Sequence, residues 1–177
     1  MEAHLPAETV ELFGPVGRGL LAVCKVAAVA GAMVFTVLVA MSIVSITGRK
    51  LFSAPVPGDV ELLQLCSAFA AASFFAYCHL NRGDVKVDFF TERLPLRAIH
   101  ALDAVGSALV GLFGALLAWR TGAGAVMLGA AGETSMILGL PLWLGQALMV
   151  PGFVLLALAG LYRFGWHLRL AARERSP

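Results

Sequence analysis

Residues 62–80, LLQLCSAFAAASFFAYCHL, decide the fold, because these 19 residues contain no Asp, Glu, Lys or Arg. A helix needs about 20 apolar residues to cross a hydrocarbon core of about 30 Å, so this stretch predicts a membrane span. The 17 residues that follow, NRGDVKVDFFTERLPLR, carry seven charged side chains. Charged groups are too costly to place in hydrocarbon. We therefore expect the chain to enter water at Asn81.

The composition of the whole chain agrees with a membrane protein. Its 177 residues are 59% hydrophobic and 14% charged, whereas about 25% of the residues in a soluble domain are charged. The net charge of +2 is scattered rather than clustered on one face, which argues against binding to nucleic acid. The three cysteines form no Cys-x-x-Cys pair, so the sequence indicates neither a disulfide framework nor a zinc site.

The apolar runs predict an all-α integral membrane protein with four transmembrane helices and amphipathic interfacial segments. The spans are expected at about residues 26–47, 61–80, 98–119 and 139–162, within a membrane domain of residues 19–164. An N-terminal interfacial segment, 1–18, and a basic tail, 165–177, would flank this domain. Residues 121–135 are apolar but rich in glycine, so they could extend the third helix or form a re-entrant piece. Pro151 predicts a kink in the fourth helix.

The distribution of Lys and Arg predicts the orientation. With four spans, ten of these residues lie on one side of the membrane and three, Arg49, Lys50 and Arg120, lie on the other. Basic residues are more frequent in cytoplasmic segments. We therefore expect both termini and the 81–97 loop in the cytoplasm.

Two spans carry side chains that recur every four residues and so share one helix face. Small side chains let helix backbones approach closely in a membrane, and the opposite face of the second span carries phenylalanines. The stripe in the second span is Gln64, Ala68, Ala72 and Ala76, opposed by Phe69, Phe74 and Phe75, and the stripe in the third is Asp103, Ser107, Gly111 and Ala115.

Ionisable groups within the spans raise two chemical hypotheses. Asp103 lies inside the third span, with His100 and His79 as its expected neighbours. An intramembrane acid can mark an ion path, but the spans hold no deeper acid, which favours an interfacial acid that fixes helix packing. Paired histidines could ligate a b-type haem. The sequence contains no catalytic motif, so we expect no enzymatic activity, no bound cofactor and no metal ion.

Residues 49–95 resemble the DctQ family, the small Q-type membrane subunits of tripartite ATP-independent periplasmic (TRAP) transporters. The resemblance extends to the chain's size, its four spans and its basic tail. One departure is Asp84, where the family often has a histidine. The matching features are Arg49 and Phe52, Pro57, Glu61-Leu62, Arg82-Gly83, Val87-Asp88 and Leu94-Pro95.

The resemblance implies a non-catalytic subunit of a secondary uptake system in the bacterial inner membrane. A periplasmic binding protein (P-type) would deliver an organic acid, and a large (M-type) subunit would move it with sodium, which would bind that subunit. This chain would brace the large subunit through Phe74, Phe75 and the small-residue stripes. The residues expected to contact partners or to hold the structure are Arg49, Glu61, Phe74, Phe75, Arg82, Gly83, Asp88 and Asp103.

Two other functions remain open at the sequence level. The small subunit of a tripartite tricarboxylate transporter also has about four spans. A b-type haem electron carrier would use histidines of the four-helix domain instead.

Overall fold

Four long α-helices make up most of the part of the chain that the structure, a computed structural model, describes, which is residues 14–53, 56–81, 83 and 96–173. The helices are α1 (Pro15–Phe52), α2 (Asp59–Leu80), α3 (Leu96–Ala131) and α4 (Leu142–Arg173). Each is long and apolar enough to cross a membrane. The predicted all-α class with four apolar helices is confirmed, and the cytoplasmic placement of the termini stays a prediction.

The helices are longer than the predicted spans. α1 has 38 residues, which gives about 57 Å at 1.5 Å per residue, against about 30 Å of hydrocarbon. It begins at Pro15, inside the expected interfacial segment, and ends at Phe52, where the next residue, Ser53, has a left-handed φ of 52°. α3 is continuous to Ala131, so residues 121–131 extend the helix. α4 contains Pro151 and reaches Arg173, so the expected basic tail is largely helical.

The helices pack in the spatial order α1, α2, α4, α3. α4 contacts both α2 and α3, whereas α1 packs on α2 and only slightly on α4. Neighbours along the chain run antiparallel, so α1 and α3 end where α2 and α4 begin. We call that side the Glu61 end and the opposite side the Arg163 end.

Glycines bring the helix backbones into direct contact. A Cβ on Gly160 would lie 2.5 Å from the Cα of Gly111, so α3 and α4 touch there. A Cβ on Gly152 would lie 2.6 Å from the carbonyl oxygen of Ala72, which joins α4 to α2. Gly31 allows the same close approach between α1 and α2. These contacts leave no gap between the paired helices at the three positions.

The two predicted stripes are only partly buried. Ala72, Ala76, Ser107 and Gly111 are buried, but Gln64 and Ala115 are exposed. Four residues turn an α-helix by about 40° more than one full turn. Side chains spaced by four therefore shift gradually around the helix, and only some of them can face one neighbouring helix. The buried members face other helices of this same chain.

Candidate functional site

Polar side chains join the helices at both ends of the fold. At the Glu61 end, Asp59 begins α2 and accepts a hydrogen bond from the hydroxyl of Ser45, which is fully buried on α1. Arg49, in the last turn of α1, places its Nη2 3.4 Å from the Asp59 carboxylate. The amide of Val56 donates to the Ser45 hydroxyl over 3.3 Å. These contacts fix the direction in which the chain turns from α1 into α2.

Glu61 lies half a turn further along α2 and holds a different segment. Its two carboxylate oxygens accept hydrogen bonds from the amides of Ile137, at 2.8 Å, and Leu138, at 3.0 Å. Both donors belong to the loop between α3 and α4. Hydrogen bonds to a charged acceptor are stronger than those between neutral groups. Glu61 therefore fastens this loop to the start of α2.

Gly58 provides the space for that attachment. A Cβ on Gly58 would lie 2.6 Å from the Cδ1 of Leu138. Its φ of 74° is also left-handed, a conformation that glycine adopts without steric penalty. Both the backbone geometry and the packing against Leu138 require glycine at this position.

At the Arg163 end, two buried side chains of α4 connect three helices. Arg163 is 3% exposed and His167 is 1% exposed. The guanidinium of Arg163 donates to the carbonyl oxygen of His79, in the last turn of α2. A cation at a helix C-terminus interacts favourably with the helix dipole. The side chain of Arg163 therefore ties α4 to the end of α2.

His167 continues this connection to α3. Its Nε2 lies 3.4 Å from Nη2 of Arg163, and its Nδ1 lies 4.0 Å from a carboxylate oxygen of Asp103. The ring of His100 is centred 5.8 Å from that of His167. Both nitrogens of His167 thus face protein groups. The contacts of Arg163 and His167 with His79 and Asp103 thus hold α2, α3 and α4 together.

A cavity of about 260 Å³ lies beside these groups. Its polar lining comes from His79 on α2, Asp103 and Ser107 on α3, and Arg163 on α4. The lining contains one carboxylate, that of Asp103, and one guanidinium, that of Arg163, and their opposite charges offset each other. Within the ranges that the structure describes, no three His, Cys, Asp or Glu side chains are grouped as metal ligands.

The structure separates the residues predicted to be functional. Arg49 and Glu61 lie at the Glu61 end and Asp103 lies at the Arg163 end. Phe74 is half-buried and Phe75 is 50% exposed. The amide of Gly83, just beyond α2, donates to the carbonyl of Cys78 over 2.8 Å. Arg82 and Asp88 lie outside the described residues.

Sequence reasoning missed three side chains of these clusters. Ser45 is a small residue in an apolar run, Arg163 directly follows the predicted fourth span, and His167 falls in the predicted basic tail. The sequence signal that could have identified Arg163 is its position, because this residue interrupts the apolar run of α4 well before the helix ends.

A comparison with known protein families gives one match that covers both clusters. The family model described as "Tripartite ATP-independent periplasmic transporters, DctQ component" matches residues 38–170, which is well over half of the 177 residues. Comparisons with curated proteins and with solved structures gave no significant match.

Proposed function

The chain belongs to the DctQ component family of TRAP transporters, and from this premise we propose that it scaffolds the large membrane subunit of such a transporter. It is a multi-pass membrane protein of a non-catalytic family. In the proposed assembly, a periplasmic binding protein delivers an organic acid and the large subunit imports it together with sodium. The assembly lies in the bacterial inner membrane, with both termini of this chain in the cytoplasm.

The direct contact between helix backbones is the observation that carries the scaffold role. Gly160 meets Gly111 and Gly152 meets Ala72 without intervening side chains. Small residues let helix backbones approach closely in a membrane, and no side chain lies between the helices at these positions whose rearrangement could open the contact. The four helices are thus suited to support another protein and are poorly suited to open a path for a solute.

The partner surface is expected on the apolar sides of the outer helices. α1 and α3 lie at opposite edges of the packing order, and both expose rows of large apolar side chains. Examples on α1 are Val26, Met33 and Val37, and examples on α3 are Leu112 and Phe113. The buried members of the small-residue stripes face other helices of this chain, so among the residues expected at this contact the exposed Phe75 offers more surface to a partner.

The charged groups at the Glu61 end suit the proposed contact with the binding protein. The Arg49 side chain is 60% exposed beside Asp59. With both termini cytoplasmic, this end faces the periplasm. The large subunit and the P-type binding protein would then contact the chain on different surfaces, one within the membrane and one outside it.

Uptake by reconstituted liposomes tests the proposal. Vesicles would contain this chain alone, the large subunit alone, or both, and would be given the binding protein, an inward sodium gradient and a panel of radiolabelled mono- and dicarboxylic acids. We expect sodium-dependent uptake only with both membrane subunits. Uptake of an organic acid by vesicles that contain only this chain would refute the scaffold role.

A further inference from the structure

The tip of the loop between α3 and α4 exposes three adjacent apolar side chains. Met136 is 100% exposed, Ile137 is 65% exposed and Leu138 is partly exposed; we call these residues the loop tip. The loop tip lies within a run from Thr134 to Tyr162 that contains no Asp, Glu, Lys or Arg. Apolar surface of this kind is unfavourable in contact with water.

The backbone amides that follow Met136 need no water as a hydrogen-bond acceptor. The amides at positions 137–140 and 142 all donate to protein acceptors, and Pro141 has no amide hydrogen. The acceptors are, in chain order, both carboxylate oxygens of Glu61, the carbonyl and the hydroxyl of Ser135, and the carbonyl of Glu133. A loop in water can leave such donors to solvent, whereas a segment in lipid must satisfy them internally.

The surroundings of the loop tip continue the same apolar surface. Val126 and Met127, in the last turns of α3, are exposed, and so is Trp143, in the first turn of α4. Both helices are long and apolar enough to span a membrane, so the apolar surface of the loop tip continues onto the ends of two candidate spans. Tryptophan is also enriched where membrane and water meet.

We propose that the loop tip inserts into the phospholipid leaflet at the Glu61 end, at the boundary between headgroups and acyl chains. A stable protein interface buries about 800 Å² on each partner, which is far more than three side chains offer. Insertion into lipid requires no partner surface of complementary shape or charge. The carboxylate of Glu61, by binding the amides of the loop tip, keeps its apolar side chains directed outward and its backbone donors satisfied.

Fluorescence quenching tests this proposal. The polarity-sensitive fluorophore NBD would be attached to Met136→Cys in a chain that also carries Cys66→Ala and Cys78→Ala, since Cys24 is fully buried. The control is Glu133→Cys, which labels an exposed position at the base of the same loop. Both proteins would be placed in bilayers of phosphatidylethanolamine and phosphatidylglycerol, with and without the large membrane subunit.

We expect the probe at position 136 to be quenched by lipids with a doxyl group near the headgroup and to be protected from aqueous iodide. The probe at position 133 should show the reverse. Equal quenching by iodide at the two positions would overturn the proposal. Protection at position 136 that appears only when the large subunit is added would also overturn it, because the loop tip would then bind protein.

Discussion

A single carboxylate, that of Glu61, connects two segments that are 76 positions apart in sequence. The resemblance to the DctQ family implies that Glu61 contacts a partner or holds the structure. In the structure, both of its oxygens are engaged by the amides of Ile137 and Leu138. The sequence could not reveal this contact, since backbone donors are present at every residue and carry no sequence signal.

Glu61→Gln tests this contact at the residue level. The amide side chain has one oxygen in place of two and carries no charge, so it cannot hold both donors as strongly. We expect faster hydrogen exchange at the amides of residues 137 and 138, measured by mass spectrometry in detergent. Glu133→Gln, an exposed change at the base of the same loop, is the control. Unchanged exchange in the Glu61 variant would show that other contacts hold the loop.

Arg163→Leu tests the cluster at the opposite end. Arg163 is buried and donates to the carbonyl of His79, and the loss of a hydrogen bond from a charged group costs roughly 1.5–3 kcal/mol. We expect a lower unfolding temperature in mild detergent. Arg169→Leu changes an exposed arginine on the same helix and should have little effect. Similar unfolding temperatures for the two variants would refute the stabilising role of Arg163.

At the level of helices, hydrophobicity alone predicted the four elements but not their ends. α1 continues beyond the predicted span through Arg49 and Lys50, which lie in its last turn. Basic residues there interact favourably with the helix dipole, so the helix has no reason to end where the apolar run ends. The glycine-rich residues 121–131 stay helical, because a helix satisfies its backbone hydrogen bonds internally in lipid.

The small-residue stripes meet neighbouring helices over only part of their length. Ala72 and Gly111 are at the contacts between helices, whereas Gln64 and Ala115 are exposed. The sequence pattern has a period of four, and the α-helix has 3.6 residues per turn. Each further member of a stripe therefore lies further around the helix surface, until it no longer contacts the neighbouring helix.

Gly160→Ala tests the contact between α3 and α4. The new methyl group would lie 2.5 Å from the backbone of Gly111, so the helices must separate, and overpacking of this kind costs about 1–3 kcal/mol. We expect a lower unfolding temperature. Gly165→Ala lies on the same helix with no atom within 4 Å of its added methyl group, and it should keep or slightly raise the unfolding temperature, because alanine favours a helix over glycine. Equal stability of the two variants would contradict the close backbone contact.

For the whole molecule, the sequence predicted the family and the number of helices, but not the order in which the helices pack. The packing of α4 between α2 and α3, with α1 at the edge, depends on glycines that meet across helices and on the contacts of Glu61 and Arg163. None of these pairs is close in sequence. The exposed apolar faces of α1 and α3 follow from this order, and they are the surfaces on which we propose that the large subunit binds.

Native mass spectrometry of the tagged chain, purified from its own membrane in mild detergent, tests the scaffold role most directly. We expect this chain in a stoichiometric complex with a larger multi-pass membrane protein of a TRAP transporter. Recovery of the chain alone, or only with copies of itself, under conditions that keep other membrane complexes intact would contradict the account.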